Sequence, residues 1–382
     1  MKIIILGTAH PYRGGLASYN ERLARQFISE GHDVKIFTFT LQYPGFLFPG
    51  KTQYTDNQAP VGINIARVLN SVNPFNWIKT GYRIRKERPD ILVIKYWHPF
   101  MAPCFGTVAR IAGRKKKNNA RVICIFDNVI PHEKSVTDRL LTSYFVHSID
   151  GAVVMSRSVG DDLKRFNIDI SAEFNPHPLY DNYGEKVARE EALTKLDLNT
   201  RYSYLLFFGF IRAYKGLDLL LEAFAESRFR NRDIKLVIAG EFYESDTPYK
   251  EIIDKHNIGD DIILYDRFIR EEEVVLFFSA ADMVVQPYKN ATQSGVTQIA
   301  YHFEKPMLVT DVGGLSEIVT DGKCGYVLQP EAHLIADAID DFFTNNRQEY
   351  FTNGVKEEKA KFTWDKMTGT ITKIIEEYKA NI

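Results

Sequence analysis

Twice along this chain a short, almost wholly apolar run gives way to a glycine and then to apolar residues at helical spacing. The first copy is residues 2–6, then Gly7, then Leu16, Tyr19, Leu23 and Phe27; the second is residues 204–208, then Gly209, then 217–224. A strand with no polar face must be covered on both sides, a condition met by parallel sheets under crossover helices. Further runs of this kind stand at 34–39, 91–95, 122–126 and 152–155, and again at 235–239, 262–264, 283–286 and 307–310. The pattern predicts an α/β chain of two Rossmann-like, doubly wound parallel-sheet domains facing a cleft, with ligands at the carboxyl ends of the strands. Residues 175–200, rich in Pro, Asp, Asn and Glu, read as the link between them. The expected domains are therefore 1–180 and 181–363, with 364–382 a helix that packs back on the first.

A length of 382 residues suits two domains. The three cysteines, Cys104, Cys124 and Cys324, have no CxxC spacing, so neither a disulfide framework nor a structural zinc is indicated, and a reducing compartment is expected. No run approaches the roughly 20 apolar residues of a membrane span, which points to the cytoplasm. The net charge of −1 hides a lopsided distribution: residues 1–168 hold 24 Lys+Arg against 12 Asp+Glu, and the remainder 24 against 37. A basic half faces nucleic acid, a membrane surface or a phosphorylated substrate, unless its solvated faces merely differ in charge.

The loops after the runs carry the candidate chemistry. Gly14 and Gly15 precede a helix and allow close backbone approach to an anion; they fit neither GxGxxG nor a Walker A sequence. Between the run ending at 208 and the next helix stand Gly209, Arg212 and Lys215, where a bidentate fork and a point charge beside a helix N-terminus suit a phosphate or diphosphate. Residues 288–296 (YKNATQSGV) and 310–317 (TDVGGLSE) repeat the strand–polar loop–helix theme.

Taken in order, the Gly-Gly turn, FGFIRAYKGLDLLLEAF (208–224), LVIAGE (236–241), YKNATQSGV and TDVGGLSEIVTDGKCGYV (310–327) resemble the retaining glycosyltransferases of family 4, which have the GT-B fold. DNVIPHE (127–133) and NPHPLYDNYG (175–184) fit one branch of it. The resemblance implies a nucleotide-diphosphate sugar donor, UDP- or GDP-linked, held mainly by the second domain. Arg212 and Lys215 would grip the diphosphate with backbone at Gly14 and Gly15, and Gly209 would admit the donor. Glu241, Phe268 and Ile269 would hold the nucleotide, and Thr292, Ser294, Gly295 and Val296 the phosphate or sugar. With no DxD triplet in the chain, the two cations would replace a metal on the leaving diphosphate, and no metal or other cofactor is expected.

Two departures stand out. The paired glutamates of the family's E-x7-E motif fall here on Thr292 and Ala300, and the histidine that often follows the strand at 122–126 falls on Phe126 or Asp127. Asp127, His132 or His98 could take the histidine's place. The acceptor would be a glycan or lipid-linked molecule of surface polysaccharide, lipopolysaccharide or glycolipid synthesis. Basic clusters at 79–88 and 110–117, with an aromatic loop at 43–48, suit an anionic membrane surface on its cytoplasmic side, and no nucleic-acid module is recognisable. A nucleotide-sugar epimerase, or a degenerate binding protein of the same fold, are the alternative readings.

Overall fold

The computed structural model describes residues 1–45, 52–113, 120–129, 136–226, 229 and 232–380. The chain divides into two compact units, Met1–Pro176 with Trp364–Ile382, and His177–Thr363.

In the first unit seven parallel strands, β1 (Lys2–Leu6), β2 (Asp33–Leu41), β3 (Asn64–Asn70), β4 (Ile91–Tyr96), β5 (Arg121–Phe126), β6 (Gly151–Val154) and β7 (Ser171–Phe174), stand in the order 3-2-1-4-5-6-7. The second unit holds β8 (Ser203–Phe208), β9 (Ile234–Ala239), β10 (Ile262–Tyr265), β11 (Met283–Gln286), β12 (Met307–Thr310) and β13 (Gly325–Leu328), ordered 10-9-8-11-12-13. Each sheet reverses direction once, between β1 and β4 and between β8 and β11. In open α/β sheets ligands sit at the carboxyl ends of the strands flanking that reversal. Those ends lead into Gly14, His98, Arg212, Lys215 and Ser294.

All ten apolar runs become strands. The three strands the sequence hid, β3, β7 and β13, all lie at sheet edges. An edge strand keeps one side toward solvent, so its residues alternate and leave no continuous apolar run. In β7 the burial alternates half-buried and exposed throughout.

Two expectations are corrected. Residues 175–200 are not simply a link: Leu179 and Tyr180 are buried in the second unit, and a helix, Arg189–Lys195, buries Ala192 and Leu193. Its only apolar residues, the adjacent Ala192 and Leu193, stand among polar and charged ones, which disguises a half-buried helix. The boundary accordingly falls at Pro176 rather than at 180. In the aromatic loop at 43–48, Tyr43 is half-buried rather than exposed: it stacks on Phe100 and accepts a 2.8 Å hydrogen bond from Trp97 Nε1. Phe46 and Phe48 lie outside the described residues, as do His132 and residues 114–117 of the second basic cluster.

The helix Trp364–Ala380 belongs to the first unit and packs on the helix Gly15–Ser29 and on β6 and β7. Its Trp364 ring rests 5.0 Å from that of Tyr19.

Candidate active site

Three strand-end loops of the second unit are pinned to one another by backbone. After β8 the chain passes Gly209 and Arg212, makes a single 3-10 turn Ala213–Lys215, and enters the helix Leu217–Phe224 through Gly216 at φ 68°. A first side-chain carbon on Gly216 would stand 1.9 Å from the carbonyl oxygen of Pro287, so the β8 and β11 loops meet where only glycine fits. Beside it the Lys289 N–H donates to the Tyr214 carbonyl at 2.7 Å. The β12 loop is fixed likewise: a side chain on Gly313 would run into the Ala291 carbonyl, and the Gly314 N–H donates to Thr292 O at 3.1 Å.

Lys215 sits inside this frame with only 8 % of its surface exposed. Among the described residues it makes no ion pair, and no acceptor takes a hydrogen from its ammonium. The ammonium lies 5.5 Å from the centre of the Tyr288 ring, and a side-chain carbon on Gly209 would lie 3.0 Å from it. Burial, reinforced by the charge of Arg212, pulls its pKa down to about 8. A largely buried cation with no acceptor from the protein is costly, and such sites mark places where a charged ligand belongs. Arg212 likewise makes no ion pair among the described residues; its guanidinium lies 5.2 Å from the centre of the Tyr243 ring.

That ring opens an aromatic face the sequence reading did not single out. Tyr243 packs on Phe210 with centroids 4.3 Å apart, and Phe210 stacks with Phe268 at 6.4 Å. Phe210 stands one residue past Gly209, which follows β8, and Tyr243 three residues past Gly240, which follows the paired strand β9. Aromatic residues within three positions of a glycine that follows a strand, in two adjacent strands, were the available signal.

On the other side the helix Gly295–His302 begins with no acidic residue in its first turn and no side-chain cap. The Ser294 hydroxyl is instead 3.3 Å from that of Tyr288, which leaves the first-turn N–H groups of Gly295 and Val296 for an anion. Val296 completes the floor, 3.6 Å from where a Gly209 side chain would start. Gly209, Arg212, Lys215, Ser294, Gly295 and Val296 are thus gathered in one place. Thr292 contributes its carbonyl to the loop frame. Ala300 is fully buried in mid-helix, so the second position of the acidic pair faces packing rather than ligand. Glu241 is buried after β9, and its carbonyl accepts the Ile211 N–H at 2.9 Å. Phe268 and the buried Ile269 follow β10, while the neighbouring Arg267 is locked in a two-pronged bond to Glu273 at 2.7 and 2.6 Å.

The remaining candidates lie in the first unit. Gly14, at φ 95°, caps the helix Gly15–Ser29, which also has no acidic residue in its first turn. His98 ends the β4 loop; its Nδ1 accepts the Phe100 N–H at 3.1 Å and so caps the turn Pro99–Met101. Partial burial holds its pKa below the ordinary value. Asp127, at the end of β5, accepts a 2.7 Å hydrogen bond from Lys95 Nζ, whose ammonium also rests 3.5 Å above the Tyr19 ring. Among the described residues no three His, Cys, Asp or Glu side chains converge.

The family described as Glycosyl transferases group 1 matches residues 188–358, and Glycosyltransferase Family 4 matches 13–172. An uncharacterized glycosyltransferase of Methanocaldococcus jannaschii is 22% identical over 385 residues, 99% of this chain and 98% of its own. Anabaena HepE, solved with UDP and glucose, is 12% identical with a TM-score of 0.73 over 99% of this chain and all of that one. WaaG, a glycosyltransferase involved in lipopolysaccharide biosynthesis, is 15% identical with a TM-score of 0.68 over 97% of this chain and 99% of its own.

Proposed function

From the premise that the chain belongs to glycosyltransferase family 4 and has the GT-B fold, we propose that it transfers a hexose, with retention of configuration, from a nucleotide-diphosphate sugar to a glycan or lipid-linked acceptor. The observation that carries this reading is the buried Lys215 ammonium without a carboxylate or acceptor, beside an Arg212 that also makes no ion pair. A diphosphate supplies the missing negative charge. Its terminal oxygens would meet Lys215, Arg212 and the first-turn N–H groups of Gly295–His302, while the base would lie toward Phe210, Tyr243 and Phe268. HepE, whose structure holds UDP, makes a uridine diphosphate the first donor to try.

In the transfer, the bond from the sugar's C1 to the β-phosphate oxygen breaks and a bond from C1 to the acceptor oxygen forms. The acceptor hydroxyl's proton passes to the leaving phosphate oxygen on the same face of the sugar, so no carboxylate nucleophile is required. The two cations act on charge that develops on the leaving diphosphate, a preorganised electrostatic term and not a group-transfer step of their own. They would carry this role without a divalent ion.

The test is turnover of UDP- and GDP-hexoses, with nucleoside diphosphate binding followed by thermal shift, in Arg212→Ala and Lys215→Ala. Each substitution should lower kcat/KM about 100- to 1,000-fold with the fold intact. Full activity in both variants would remove the donor site from this place.

A further inference from the structure

The first-turn N–H groups of the helix Gly295–His302 can hold an anion well only if the backbone that carries them is itself held in place. That helix is eight residues long and has no side-chain cap, and a helix so short owes its stability to packing more than to its own hydrogen bonds. We propose that Tyr180 is a positioning residue for this turn, and that the segment 177–184 braces the helix for diphosphate binding. The inference rests on the donor site proposed above and adds to it a residue outside the two cations and the first-turn donors.

Gly295 is helical and has no left-handed φ, so its backbone conformation does not call for glycine. The reason is space: a side-chain carbon there would stand 2.8 Å from Cε2 of Tyr180 and 3.6 Å from its hydroxyl oxygen. The Tyr180 ring therefore lies against the Cα of the first helical residue, a close approach that glycine permits. The ring has little room to retreat, since Tyr180 is 5% exposed and has His177 at 4.9 Å and Tyr183 at 5.6 Å between ring centres. His177 is buried as well, and its Nδ1 lies 2.6 Å from the carbonyl oxygen of Pro178. A carbonyl only accepts, so the imidazole carries a proton on Nδ1 and its orientation is fixed.

The same segment reaches the other end of the helix, where His302 donates from Nε2 to the Gly184 carbonyl at 2.7 Å. It is also tied to a second stretch of chain. The Leu179 N–H donates to Phe362 O at 2.9 Å, and the Phe362 ring packs 4.7 Å from that of Tyr301, on the helix itself. Lys359 adds a 2.9 Å hydrogen bond to the His302 carbonyl. The helix is thus held by the residues where the chain enters the second unit, after Pro176, and by those where it leaves, before Trp364. Its N–H groups are aimed before a diphosphate arrives, and less ordering entropy is lost when one binds.

The test is calorimetric titration of the full chain with UDP, together with donor KM and kcat, in Tyr180→Ala, Tyr180→Phe and Gly295→Ala. Tyr180→Ala should weaken UDP binding and raise the donor KM about tenfold, with kcat changed less than about threefold, because the diphosphate is held before and during transfer alike. Tyr180→Phe keeps the ring and should stay within about threefold of the wild type. Gly295→Ala displaces the ring and should resemble Tyr180→Ala, while the double variant should be no worse than either, since both changes undo one contact. A role in stability alone would lower the unfolding midpoint of the ligand-free protein and leave the UDP affinity of the folded chain unchanged, and that result would overturn the inference. Hydrogen exchange on the wild type decides the question if the variants fail to fold: UDP should slow exchange at least about threefold in 177–184 as well as in 294–302. Protection at 209–216 without protection at 177–184 would overturn the brace and leave the donor site standing. A wild-type chain that binds no nucleoside diphosphate would overturn both.

Discussion

Each unit buries a lysine where a strand next to the sheet's reversal gives way to its loop, and the two are treated in opposite ways. Lys95, at the end of β4, has Asp127 at 2.7 Å and the Tyr19 ring beneath it. Lys215, just past β8, has the Tyr288 ring 5.5 Å away but no carboxylate and no acceptor among the described residues. Burial lowers the pKa of both, and only Lys95 has a partner that pushes back. A third buried lysine, Lys305, is satisfied by the carbonyls of Ser279 and Ala281 at 3.1 and 2.8 Å. The fold thus knows how to settle a buried ammonium and leaves one unsettled. Holding Lys215 at a pKa of about 8 costs the folded chain roughly 3 kcal/mol at neutral pH, a cost an arriving anion would offset.

The comparison can be broken most easily at Asp127. Asp127→Ala strands a buried ammonium and should destabilise the first unit by about 3–5 kcal/mol in denaturant titration, while Lys95→Met/Asp127→Leu should recover most of that loss. Lys215→Met should do the reverse, raising stability by about 1–3 kcal/mol while turnover collapses. If Lys215→Met proved as damaging to the fold as Asp127→Ala, the contrast between the two lysines would be lost.

A gentler test uses pH. Lys215 is charged below about 8 and neutral above it, so diphosphate affinity should hold below that value and fall, at most tenfold per pH unit, as pH rises past it. The stability sign runs the other way: the desolvation penalty is fully present below pH 8 and is relieved as pH rises toward the ordinary lysine range. Calorimetry with UDP across that range, repeated on Lys215→Arg, should show the slope in the wild type and not in the variant. Smallest of all is the aromatic face. Tyr243→Ala should weaken nucleotide binding by about 1 kcal/mol, roughly fivefold, with little change in kcat.

Most of the fold could be read from the sequence because buried parallel strands advertise themselves as unbroken apolar runs. What stayed hidden was partial burial: the edge strands β3, β7 and β13 and the helix Arg189–Lys195 each show water one side. The site divided along a similar line. Arg212, Lys215 and Ser294 were legible from residue type and position after a strand. That Lys215 has no carboxylate while Lys95 does was not, because Lys95 and Asp127 are 32 residues apart and meet only through the pairing of β4 with β5. Asp127, read as a stand-in for a histidine, turns out to be that partner, and Ala300 turns out to be core. Phe210 and Tyr243 escaped because aromatic residues are common in cores, and only the adjacency of β8 and β9 makes them a pair.

The return of Trp364–Ala380 to the first unit has a consequence for how the protein is made. The seven-stranded sheet is synthesised first, yet the helix that covers β6 and β7 and sets Trp364 against Tyr19 comes only after the entire second unit. On the ribosome the second unit can close while the first still waits, with Met367, Ile371 and Ile374 missing from its core. The order of translation and the order of completion are therefore reversed, and the nascent chain exposes the apolar surface beside Tyr19 until the last helix arrives.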